Sequence, residues 1–209
     1  MSARRTIRAY VGLGGNVGDA AATLATAIRD LDAIPGVRVR RISRLYATAP
    51  WGVTDQPEFR NAVVASDVRT GERDRAAAAL DLLVRLKTLE RRAGRRGGRR
   101  WGPRALDLDV LVFGRHRIDV ERPPAARSND AEGDPATAAK RLQVPHRDLG
   151  QRLFVLAPLA DVAPRLVPPG WSETVETRRR RVAVAEPPDS VRVVGEWDPK
   201  ARTWRLASS

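Results

Sequence analysis

Apolar residues alternate with small or polar ones at Ile7, Ala9, Val11 and Leu13, the period of a strand, and the run closes on two glycines. Leu24, Ile28 and Leu31 then recur at helical spacing, with Asp19 as the N-cap and Pro35-Gly36 as the stop. Residues 37–50 read as a second strand and 59–68 as a third, separated by the loop PWGVTDQPE. From Gly71 a long helix carries Ala79, Leu82, Leu83, Leu86, Leu89 and Ala93 on one face and ends at Gly94. An apolar run with two aspartates follows, so the order is β-α-β-β-α-β. That order predicts an α+β fold: a ferredoxin-like antiparallel sheet with helices packed on both sides, an αβα sandwich.

Beyond this unit the pattern weakens. Residues 122–140, RPPAARSNDAEGDPATAAK, have no periodicity and many turn formers, and read as a mobile insertion. Order resumes at VPHRDLGQRLFVLAPLADVAP with a strand end and a short helix. The expected organisation is one domain over 1–170 and an extension over 171–209. That extension carries the run RRRR and a hairpin around Asp198-Pro199-Lys200, packed on the domain.

Composition narrows the chemistry. The 209 residues suit one domain, and the absence of cysteine excludes disulfides and thiolate chemistry. Two histidines, His116 and His146, argue against a histidine-rich metal centre. The basic N-terminus is interrupted by glycines before it could act as a signal segment, and no run reaches membrane-spanning length; a cytoplasmic protein without a membrane partner is expected. A net charge of +13 calls for an anionic substrate or a polyanionic partner.

The region Arg91–Arg104 packs seven arginines, and just beyond it Asp107 and Asp109 sit inside the apolar run. With Leu106, Leu108, Val110 and Val112 on one face of a strand, both aspartates turn to the other, about 7 Å apart. Something positive must offset two such carboxylates. One candidate is Arg104, three residues earlier, as a structural ion pair. The other is magnesium, which takes a few protein oxygens and completes its shell with water and substrate phosphates, with arginines clamping those phosphates. No P-loop or dinucleotide-binding glycine pattern occurs, so neither would hold a nucleotide here.

Four segments taken together resemble one family: GLGGNVGD, YATAPWGVTDQPEFRNAVV, RWGPRALDLDVLVFG and VPHRDLGQRLFVLAPLADVAP. They are similar to the 6-hydroxymethyl-7,8-dihydropterin pyrophosphokinases of folate synthesis, the third segment most specifically. The resemblance makes 1–170 the pyrophosphokinase domain. It implies transfer of pyrophosphate from ATP to the pterin hydroxymethyl group, with release of AMP. It also implies two Mg2+ ions on Asp107 and Asp109, and Arg104 and Arg95 as catalytic arginines. On the ATP side it implies Glu90, Arg100, Trp101, Val110, Arg141, Leu142, His146 and Arg152. On the pterin side it implies Thr48, Trp51, Asn61, and Phe59 with Phe154 sandwiching the ring. Neighbouring folate-pathway enzymes are the expected protein partners. A basic nucleic-acid-binding protein using its arginine doublets is the competing reading; it makes no use of Asp107 or Asp109, so no nucleic-acid partner is expected.

Overall fold

The computed structural model describes residues 5–50, 55–94, 102–127 and 140–207. Strands β1 (Thr6–Gly15), β2 (Val37–Ile42), β3 (Leu45–Thr48), β4 (Phe59–Arg69) and β5 (Asp107–Phe113) build the main sheet with β8 (Val191–Asp198) and β9 (Thr203–Leu206). The order is β5-β1-β4-β3-β8-β9, β2 also pairs with β4, and each pairing is antiparallel. A separate ribbon joins β6 (Ile118–Glu121) to β7 (Arg141–Val144). The helices are α1 (Ala20–Ala33), α2 (Arg75–Arg92), α3 (Leu153–Val162) and α4 (Val175–Ala183).

Two apolar layers flank the sheet. Leu24, Ile28 and Leu31 of α1 and Leu82, Leu83 and Leu86 of α2 pack with Val11, Leu13, Val64, Leu108 and Val110 on one face. Leu156 and Leu159 of α3 and Val175 of α4 pack with Val63, Ala65 and Leu111 on the other. The expected α+β sandwich of an antiparallel sheet between helices is therefore the observed one.

Three local departures from the sequence pattern have physical causes. The expected second strand is two, because the buried Ser43 accepts the Val63 amide with its hydroxyl and breaks the ladder, while its carbonyl accepts Trp204 Nε1 at 3.0 Å. The long helix starts after Asp74, whose carboxylate accepts the Ala76 and Ala77 amides, and not at Gly71, which occupies a turn at φ +58°. In β5 the pairing with β1 slips between Val110 and Val112, leaving Leu111 as an extra residue. Val112 consequently shares the α3 face with Leu111, whereas Leu108 and Val110 face α2.

Candidate active site

The pleat assigns the site its face. Because Leu108 and Val110 enter the α2 layer, Asp107 and Asp109 point to the α3 side. In β4, Val63 and Ala65 also face α3, which gives Asn61 and Phe59 the same side. The register then aligns Tyr46, Asn61, Gly14 and Asp107 in a single row across β3, β4, β1 and β5. Asn61 and Asp107 are two strands apart, about 10 Å, with only Gly14 between them. A Cβ on Gly14 would lie 3.1 Å from Asn61 Oδ1, so the glycine keeps this floor bare.

On the β3 side, Asn61 Nδ2 donates to Thr48 Oγ1 at 2.8 Å, and Thr48 is paired with Phe59. This fixes the side-chain amide beside an aromatic ring. Phe154 lies in the first turn of α3, and the Arg152 guanidinium lies 5.8 Å from its ring centre while bonding Asp148 at 2.6 Å. Beyond Tyr46 a cleft of about 830 Å3 lies between α3, α4, β3 and β8, away from the aspartates.

On the β5 side the strand is the sheet edge, and its outward backbone groups need partners. Glu90 accepts the Leu108 amide at 2.7 Å, Lys87 Nζ donates to the Leu108 carbonyl at 2.9 Å, and the two side chains pair at 2.6 Å. Together they replace a neighbouring strand. Lys87 Nζ also lies 3.7 Å from Asp109 Oδ1, and Arg104 Nη1 lies 3.0 Å from Asp107 Oδ2. Farther along the edge, the His146 amide donates to the Leu111 carbonyl, bringing the end of β7 beside β5.

The loops are tied together by Asn16, from the GLGGN segment. Its amide donates to Arg104 O and its Oδ1 accepts the Arg104 amide, both at 2.8 Å, while Nδ2 reaches Gln56 Oε1 and Pro57 O at 3.0 Å. Gly15 makes this junction possible, since a Cβ there would lie 2.6 Å from Ala105 O.

Sequence reasoning missed Asn16 and Lys87. The signal for Asn16 was a polar residue straight after a glycine-terminated strand; that for Lys87 was a lysine amid the apolar face of α2. Of the expected nucleotide residues, Val110 and Leu142 lie in the core, and Glu90, 2% exposed, reaches β5. Arg141 bonds Asp119 on the exposed side of the ribbon. Trp51, Arg95, Arg100 and Trp101 lie outside the described residues.

Asp107 and Asp109 keep 27 and 34% of their side-chain surface exposed. Among the described residues no group of three or more histidines, aspartates and glutamates could hold a metal alone. Two carboxylates on one face suit a cation that draws its remaining ligands from water and phosphate, which is magnesium's habit.

The family model for 7,8-dihydro-6-hydroxymethylpterin-pyrophosphokinase matches residues 10–164. The chain belongs to this family. A 2-amino-4-hydroxy-6-hydroxymethyldihydropteridine pyrophosphokinase of Methylorubrum extorquens is 40% identical over 186 residues, covering 89% of this chain and 98% of that protein. The Pseudomonas aeruginosa protein of the same name is 38% identical, covering 76% of this chain and 82% of its own. A mitochondrial folate synthesis bifunctional protein of Arabidopsis thaliana is 40% identical over 73% of this chain but only 23% of its own length. A Plasmodium falciparum HPPK-DHPS structure shares the fold, with a TM-score of 0.69 at 15% identity, over 98% of this chain. This chain spans about half of that one, 50%.

Proposed function

We infer that this protein transfers the terminal diphosphate of ATP to the hydroxymethyl group of 6-hydroxymethyl-7,8-dihydropterin, releasing AMP. The observation that carries the reading is the row across the sheet: an amide-and-aromatic pocket at Thr48, Asn61 and Phe59, a glycine floor, and two carboxylates beyond it, the nearer about 10 Å away. A flat heterocycle with a polar edge fits the first part, and a metal–polyphosphate fits the second.

The hydroxymethyl oxygen attacks the β-phosphorus, the bond from that phosphorus to the α,β-bridging oxygen breaks, and the alcohol proton passes to solvent. Asn61 and Thr48 hold the heterocycle's edge, and Phe59 and Phe154 hold its faces. Asp107 and Asp109 would hold two Mg2+ ions that arrive with ATP and neutralise its phosphate oxygens. Arg104, paired with Asp107 and pinned by Asn16, keeps the carboxylate oriented and sets a guanidinium at the phosphate end of the site. Residues 1–170 form the catalytic domain in this reading, and a cytoplasmic location gives access to MgATP.

The nucleic-acid reading finds no support among the related proteins, and many arginines are already neutralised. In the RRRR run, Arg178 and Arg181 pair with Glu173, and Arg179 and Arg180 with Glu176. The two-enzyme relatives motivate a further proposal, that neighbouring folate-pathway enzymes are partners.

The purified protein should form AMP from ATP only when the hydroxymethyl pterin and magnesium are both present. Formation of AMP without pterin, or none with all three components, would overturn the assignment.

A further inference from the structure

Resting on the ATP-dependent reading above, we propose that Arg122, at the base of the 122–140 insertion, binds the polyphosphate of ATP, and that Arg141 does not. Strand parity carries the argument. Along β6, Ile118 and Val120 turn inward and Asp119 and Glu121 outward; along β7, Leu142 and Val144 turn inward and Arg141 and Gln143 outward. Glu121 is paired with Arg141, and both belong to the outer face. There Arg141 spends its guanidinium on Asp119, with Nε to Oδ1 at 2.6 Å and Nη2 to the carbonyl at 2.9 Å.

Arg122 is the next residue inward. Its amide donates to Lys140 O at 2.7 Å, extending the ladder by one step and closing the base of the insertion. The adjoining turn at Pro124–Ala126 is docked on α2 through Ala126, fully buried, and through Arg91 Nη1 to Ala125 O at 3.0 Å. Arg122 is thus held at the α2 end that braces β5. Only 8% of it is exposed.

A buried guanidinium normally has a carboxylate beside it. Among the described residues Arg122 makes no ion pair, and its one side-chain hydrogen bond runs from Nε to Arg141 O at 2.9 Å. That bond fixes the plane and leaves both terminal nitrogens uncommitted. Among the described residues the buried side-chain atoms without partners are Ser66 Oγ and Ser190 Oγ, so the terminal nitrogens of Arg122 are not among the fully enclosed ones. Burial lowers the guanidinium's proton affinity below the arginine norm, against the pull of Asp109, Glu90 and Asp107, while Arg147 adds to the lowering. Glu90 is occupied by Lys87 and Leu108, and Asp107 by Arg104. A planar cation with two free N–H pairs, held near the α2 end that braces β5 and within electrostatic reach of Asp107 and Asp109, matches phosphate oxygens, which accept two at a time.

The test is calorimetric titration of wild type, R122Q, R122M and R141Q with a non-hydrolysable ATP analogue and Mg2+, with thermal melts of each free protein. R122Q and R122M should bind the analogue about 10- to 100-fold more weakly, the worth of a charged hydrogen bond or two. R141Q should stay within about two-fold of wild type, since an exposed pair contributes little. R122M preserves the buried stem and carries the test should R122Q fail to fold. Wild-type affinity in folded R122M, or a loss confined to R141Q, overturns the proposal. No binding of the analogue to wild type would instead overturn the ATP reading itself.

Discussion

Glu90 and Leu108 meet at 2.7 Å, side-chain carboxylate to backbone amide, and this contact joins the end of α2 to the strand bearing both aspartates. Lys87 completes the arrangement, so a buried ion pair does the work of an absent neighbouring strand. Removing Glu90 takes from the buried Lys87 its nearer carboxylate, at 2.6 Å, and leaves it Asp109 at 3.7 Å. Glu90→Ala should lose about 3 to 5 kcal/mol of unfolding free energy, and Lys87→Met combined with it should recover part of that loss. Urea denaturation of the single and double variants measures both, and additive losses would exclude the coupling.

Asp107→Asn and Asp109→Asn should each lower turnover at least about a thousand-fold while the melting temperature holds. Steady-state AMP formation and circular dichroism check the two halves of this expectation. More than a tenth of the activity in either variant would remove the metal assignment.

The pterin side separates from the nucleotide side by binding. Phe154→Ala should weaken pterin by about 1 to 3 kcal/mol, in the range of ring stacking on a base. Asn61→Ala should do so by at least as much, because the heterocycle edge loses its partner. Titration with pterin in the presence of an inert ATP analogue reads this, and affinity for the analogue alone should hold. If Phe154 serves only packing, the free protein melts earlier and both ligands weaken together.

Gly15→Ala should destabilise by about 1 to 3 kcal/mol, since the added methyl meets a backbone carbonyl that cannot swing aside. The Asn16–Arg104 contacts would be displaced with it, so MgATP-analogue affinity should fall as well. Gly71→Ala, a positive-φ glycine in a turn with open space around it, is the control that alters stability alone.

Glu176 gives a pH signature. Hydrogen bonding from Arg179, then Arg180, holds its pKa down to about 2 from an ordinary 4.5. A depressed carboxylate stabilises the fold above its unfolded value, and the contribution disappears as pH falls from about 4.5 to about 2. The stability gap between wild type and Glu176→Gln should therefore shrink across that window. Solvent screening keeps the gap small, below about 1 kcal/mol. A gap independent of pH would assign the effect to packing.

Period-two patterning made β1, β4 and the aspartate face of β5 readable, because one buried face forces alternation. The same rule misplaced Val112, since a bulge at Leu111 adds a residue without altering composition. Ser43 likewise ends a ladder using a side chain whose role depends on Val63, a partner 20 residues away. Arg122 was hidden differently: it opens a stretch of turn formers, and the docking of the adjoining turn on α2 is something no local pattern encodes. Thr48, Asn61 and Phe59 were singled out through a motif, but their alignment with Asp107 is a property of register.

The pairing of β8 with β3 imposes an order on biosynthesis. The aspartate half of the site is framed by β1, β4, α2 and β5, all finished by Phe113. Strand β3, which bears Thr48, stays an open edge until Val191–Gly195 have been synthesised and can bond to it. A nascent or truncated chain lacking that last stretch would display a four-residue apolar-rich edge ready to pair with another chain. Completion of the C-terminal hairpin thus closes the Thr48 side of the sheet and removes an aggregation hazard in one event.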